Sequence, residues 1–217
     1  RDLKLANQLT EEKSGPVGIN RLLAILFVDI EGFTPLSENL PSYDVMYILN
    51  RYFDMVGDEV KKNGGEINNY VGDAVLALFG LDDREDEVFR AVKSGLAILD
   101  AVENFRETVA KNYNESFHVR VGIHFGEAIV GMLGSEDDKR LSVIGESVNM
   151  ASRVEAANKE LSAPVRATYA FGQKIGHTQY EVKRAFRNAL RSLNEYCVLA
   201  TGKPCATEEE INGTPSP

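Results

Sequence analysis

Residues 21–29, RLLAILFVD, are a nearly unbroken apolar run closed by a carboxylate. A strand with one face in water alternates apolar and polar residues, whereas a run without polar alternates needs cover on both faces. The segment therefore reads as a strand buried on both sides, and the rest of the chain has to be arranged around it. With 217 residues, 43% apolar and 26% charged, the chain is long enough for one sizeable domain. Residues 1–20 read as a linker or helical lead-in ending in SGPVGIN, residues 21–203 as the domain, and residues 204–217 as a flexible polar tail.

After the turn EGFT, residues 42–65 place Val45, Leu49, Phe53, Val56 and Val60 at helical spacing, with Gly64 and Gly65 where a helix C-cap belongs. EINNYVGDAVLALFG, residues 66–80, reads as a hairpin with Gly72 and Asp73 at its tip, since Gly-Asp between apolar flanks is a turn signal. Residues 85–111 predict a second long amphipathic helix through Val88, Val92, Leu96, Leu99, Val102, Phe105 and Val109. FHVRVGIHFGEAIVGMLG, residues 117–134, predicts two further strands about a Gly126-Glu127 corner. The order β, α, β, β, α, β is the ferredoxin-like split unit, an α+β fold with helices on one face of an antiparallel sheet. Residues 146–160, ESVNMASRVEAANKE, predict one more helix with polar and apolar residues interleaved.

Asp29 closes the first strand and Asp73 stands at the hairpin tip, two places that a split unit brings to the end of neighbouring central strands. Each has an ordinary explanation alone, a helix cap for the first and a turn former for the second. Together they make a hard oxygen site suited to Mg²⁺ or Mn²⁺ held with substrate phosphates. The turn after Asp29 opens a helix, so the backbone N–H groups of Gly32, Phe33 and Thr34 are candidate phosphate contacts. Asn149 and Arg153 lie four residues apart on one helix face, an amide and a guanidinium fit to clamp a sugar oxygen and a charged phosphoryl group. Lys139 and Arg140 read as a basic loop beside the site, with Arg140 a candidate phosphate contact, and His124 as a core histidine rather than a base.

LFVDIEGFT, NNYVGDAVLALFG, VRVGIHFGEAIVG and VIGESVNMASR, in that order and spacing, resemble the class III nucleotide cyclase catalytic domain over about residues 20–160. The resemblance implies conversion of ATP or GTP to the 3′,5′-cyclic nucleotide and pyrophosphate, with two Mg²⁺ or Mn²⁺ ions per site. It implies a head-to-tail homodimer whose sites are shared, the aspartates coming from one subunit and the Asn and Arg from the other. Asp29, Asp73 and the Ile30 carbonyl then correspond to metal ligands, Asn149 to the residue that orients the ribose, and Arg153 to the residue that stabilises the transition state. Base recognition departs from the family: adenylyl cyclases commonly have Lys where this chain has Asn69, and Asp or Thr where it has Ser142. The guanylyl pattern is absent as well. Ser142 is near the threonine variant and tips the reading towards ATP, with Asn68 an ordinary polar strand residue.

The net charge of −9 argues against a nucleic-acid partner, because phosphate-backbone affinity needs an excess of cations. Two cysteines, Cys197 and Cys205, give no disulfide framework or metal pattern and fit a reducing, cytoplasmic compartment. No apolar run reaches the ~20 residues of a membrane span, although a longer protein tethered to a membrane or fused to a regulatory domain is compatible with the chain. The competing readings are a degenerate cyclase-like module that only binds nucleotide or dimerises, and a diguanylate-cyclase-type turn at Gly64-Gly65-Glu66. VNMASR and the position of Asp73 speak against the second.

Overall fold

The computed structural model describes residues 18–82, 84, 86–135, 137–161 and 165–169. β1 (Gly18–Ile30) runs through the middle of a sheet that has six strands among the described residues. Its even residues Ala24, Leu26 and Val28 pack into one core and its odd residues Leu23 and Ile25 into another, so the unbroken apolar run is covered on both faces as expected. α1 (Phe33–Asn39) and α2 (Ser42–Lys62) follow, then β2 (Glu66–Val71), β3 (Ala74–Phe79), α3 (Glu87–Tyr113) and β4 (Val119–Ser135). The strand order β2-β3-β1-β4 with antiparallel neighbours is the split βαββαβ arrangement.

The helices α1 to α3 pack on one face of that core. Ile48, Tyr52, Val56 and Val60 form the buried stripe of α2, with Leu49 and Phe53 on its flank, so the stripe is turned slightly from the one expected. α2 ends in a Schellman cap: Gly64, at φ 71°, donates to Lys61 O, and Gly65 donates to Val60 O. Arg90, near the start of α3 and 5% exposed, donates to the Gly64 carbonyl at 2.7 Å and to Asp82 and Asp86. That network joins the α2–β2 turn to the first turns of α3.

Beyond the core unit, β5 (Asp138–Ile144) pairs with the end of β4, α4 (Glu146–Leu161) lies on the opposite face of the sheet, and β6 (Val165–Tyr169) adds to β4 in parallel. Three sequence expectations are corrected here. Residues 117–134 hold no corner: β4 is one continuous strand through Gly126 and Glu127, which pair with Leu23 and Leu22 of β1. Gly126 is small because α4 lies against it. A Cβ there would stand 2.5 Å from the Ser147 hydroxyl, and one at Gly122 would stand 2.6 Å from the Ala151 carbonyl. Likewise Lys139 and Arg140 are not in a loop but in β5, paired with Gly134 and Leu133. The lead-in read over residues 1–20 is also shortened, since Gly18, Ile19 and Asn20 already belong to β1 and pair with β4; its remainder, the tail at 204–217 and most of 165–203 lie outside the described residues.

Candidate active site

Asp29 is the penultimate residue of β1, and Asp73 closes the two-residue turn between β2 and β3. Because β3 is hydrogen-bonded to β1 with Val28 opposite Val75, the hairpin tip arrives beside the end of β1. The Ile30 N–H donates to Asp73 Oδ2 at 3.3 Å, and Asp29 is within hydrogen-bonding reach of the same carboxyl. Burial, and then the hydrogen bond and charge of Asp29, push the Asp73 carboxyl up to about 7. Two acids forced together in a half-buried corner are the arrangement that a bound cation relieves. An oxygen-only donor set of Asp29, Asp73 and the adjoining backbone would suit a hard cation such as Mg²⁺ or Mn²⁺.

The turn that follows places Gly32 at φ 69° before the first residue of α1, and the Glu31 N–H donates to His118 O at 2.9 Å. Gly32, Phe33 and Thr34 thus follow Asp29 closely in the chain, at the N-cap and first two residues of a short helix.

α4 is held to the sheet by contacts that leave its other side outward. Ser147 Oγ donates to Glu127 O at 2.7 Å and Asn158 Nδ2 to Val121 O at 2.9 Å, while Ala151 and Val154 are buried. Asn149 and Arg153 are consequently exposed. Among the described residues no hydrogen bond or ion pair joins either of them to Asp29 or Asp73. Asn69 lies on β2, exposed, with Oδ1 accepting the Tyr70 N–H at 2.9 Å. Ser142 lies on β5, opposite Gly131, and its hydroxyl donates to Arg140 O at 3.3 Å. The exposed Arg140 guanidinium is engaged by Asp138 at 3.1 Å.

Residues 20–197 match the family model described as adenylate and guanylate cyclase catalytic domain. The chain belongs to that family.

Among relatives of the cyclase domain, adenylate cyclase 1 of Rhizobium meliloti (strain 1021) is 33% identical over 148 residues, 67% of this chain and 22% of that protein. The chain thus spans less than a quarter of that relative's length. The crystal structure of the guanylyl cyclase Cya2 superposes with a TM-score of 0.62 at 34% identity, over 65% of this chain and 72% of that one. A bacterial light-regulated adenylyl cyclase gives a TM-score of 0.69 at 27% identity, over 85% of this chain and 50% of that one.

Arg120 of the cyclase domain was not singled out from the sequence. It stands opposite Asp29 in the β1–β4 ladder, with one guanidinium nitrogen 3.3 Å from Asp29 Oδ2 and Nε 2.7 Å from Glu155 Oε1 on α4. Burial raises the Glu155 carboxyl above its ordinary value, and the Arg120 charge opposes that rise. An Asp29–Arg120–Glu155 chain therefore links the acid corner to the helix that carries Asn149 and Arg153. The signal for Arg120 was a charge inside the apolar run VRVGIHF, but its partners are 91 and 35 residues away and follow from register alone. His124, 3% exposed on the α4 side of β4, is shifted below its usual value by burial, which fits a neutral core histidine.

Proposed function

We propose that the chain is the catalytic domain of a nucleotide cyclase that converts ATP to 3′,5′-cyclic AMP and pyrophosphate at sites shared within a head-to-tail homodimer. The observation that carries this reading is the meeting of Asp29 and Asp73 at the end of β1, with Asp73 pushed up to about 7. Two divalent ions held there supply a more acidic ribose 3′-hydroxyl and neutralise charge on the departing pyrophosphate. Asp29 and Asp73 hold them, aided by the Ile30 carbonyl. Gly32, Phe33 and Thr34 offer backbone N–H groups to the terminal phosphates, with Arg140 as a further contact.

From the partner chain, Asn149 fixes the ribose and Arg153 donates to the oxygens of the α-phosphate as charge builds on them. Such a donor, in place before the reaction, is worth about 3 to 4 kcal/mol by comparison with the loss of one oxyanion donor. Sharing between chains is supported by the outward position of Asn149 and Arg153 on α4.

Asn69 and Ser142 read the base. Asn69 Oδ1 accepts from the Tyr70 N–H, and its NH₂ is a donor that suits N1 of adenine. GTP is the second substrate to test, because the Cya2 neighbour is a guanylyl cyclase. The purified chain, assayed with Mn²⁺ and each nucleotide side by side, is expected to form cyclic AMP faster than cyclic GMP. Product from neither nucleotide at concentrations where the dimer is present would sink the enzyme reading; faster cyclic GMP formation would reverse the substrate. Input from a regulatory domain outside these residues is part of the same proposal, given that the Rhizobium relative is several times longer.

A further inference from the structure

In strand order β2 and β5 stand at opposite ends of the main path, with β3, β1 and β4 between them. A side chain of β2 nevertheless reaches β5 directly. Asn68 Nδ2 donates to the Leu141 carbonyl oxygen at 2.9 Å, partly buried and 73 residues apart. The residue read from the sequence as an ordinary polar strand position is therefore a bridge.

The β2–β3 ladder shows how this comes about. Ile67 pairs with Ala77 and Asn69 with Leu76, so the register skips at Asn68 and leaves it without a partner residue of its own. A bulge of this kind re-aims a side chain. β5 needs such an anchor. It is the end strand of the main path and pairs with residues 129–135 of β4, so among the described residues the Leu141 segment has one ladder neighbour. A strand paired along one edge only is held by half the ladder bonds of a central strand. Leu141 packs against the core that includes Leu76 and Leu78, and the Asn68 amide adds a directional tie.

The tie falls at the two base-reading positions. Asn68 is the neighbour of Asn69, and the carbonyl it grips belongs to the peptide that leads into Ser142. We propose that Asn68 is a specificity-positioning residue: its amide holds the strands bearing Asn69 and Ser142 at one separation, so that both reach the same purine edge. This rests on the cyclase reading above. Asn68 itself need not touch the nucleotide.

The test is steady-state kinetics with Mn²⁺ and either ATP or GTP on the wild type, Asn68→Asp and Asn68→Leu, two variants of near-equal size that lack the N–H donor. Loss of one hydrogen bond corresponds to about a two- to ten-fold effect. KM for the preferred nucleotide is expected to rise by that factor and the ratio of kcat/KM between ATP and GTP to move towards one, with kcat held within about two-fold. Asn68→Gln, which keeps a donor on a longer arm, should retain more of the discrimination than Asn68→Asp. Folded variants with wild-type KM and base preference would overturn the proposal while leaving the cyclase reading intact. So would a fall in kcat with the base preference unmoved, or variants that simply unfold, since either makes Asn68 a structural residue only. A wild type that forms no cyclic nucleotide would overturn both readings together.

Discussion

Asp29 and Asp73 are costly to the metal-free fold, since burial and mutual repulsion lift one of them to about 7. A cation held between them should therefore stabilise the folded chain measurably. At a free Mn²⁺ concentration near 100 times Kd the gain is about 2.7 kcal/mol, equivalent to roughly 5 to 10 °C in Tm for a domain of this size. Calorimetry of Asp29→Asn should show that shift reduced or lost; an undiminished shift would place the metal elsewhere. Tyr52 makes a different residue-scale case. It is fully buried in α2, and its hydroxyl has no partner among the described residues. A buried hydroxyl without a hydrogen bond opposes folding, so Tyr52→Phe is expected to leave stability unchanged or raise it by up to about 1 to 2 kcal/mol, read from urea midpoints at constant m. A clear loss of stability would mean that the hydroxyl has a partner.

At the scale of elements, the position of α4 decides whether Asn149 and Arg153 can serve a site. The helix is seated over two glycines of β4, and its register along the strand is set by Ser147, Glu155 and Asn158. A methyl group at Gly122 would collide with the Glu155 backbone N–H and stand 2.6 Å from the Ala151 carbonyl, neither of which is a flexible side-chain end. Gly122→Ala should lift α4 from the sheet at a cost of about 1 to 3 kcal/mol, the range for overpacking. It should also lower turnover more than it weakens metal binding, because the acid corner belongs to β1 and the β2–β3 turn. Unchanged turnover and Tm would show that α4 is not held this closely.

For the molecule as a whole, the proposed division of one site between two chains has a direct test. Asp73→Ala and Arg153→Ala should each keep no more than about 1% of wild-type activity alone. Random mixing leaves one intact site in each mixed dimer, so about a quarter of the wild-type activity per chain should return. Absence of any recovery, with subunit exchange shown by a labelled chain, would rule out shared sites. Arg153→Ala alone should lose about 10² to 10³ in kcat and keep its Tm. Its exposed position on α4 gives the substitution little to disturb.

Local chemistry was enough to read the double-faced strand, the glycine-capped helix, the Gly72-Asp73 turn and the shared helix face of Asn149 and Arg153, since each depends on residues a few positions apart. The split βαββαβ order followed from the sequence of those elements. Tertiary structure decided what spans long separations. Gly126 looked like a corner because glycine marks turns, but the same missing side chain also lets a helix backbone approach a strand, and only the packed α4 distinguishes the two. Arg120 meets Asp29 and Glu155, and Asn68 meets Leu141, through register and a bulge that no local pattern encodes. A strand's neighbours are set by which faces the whole chain manages to bury, and that is a property of the assembled sheet.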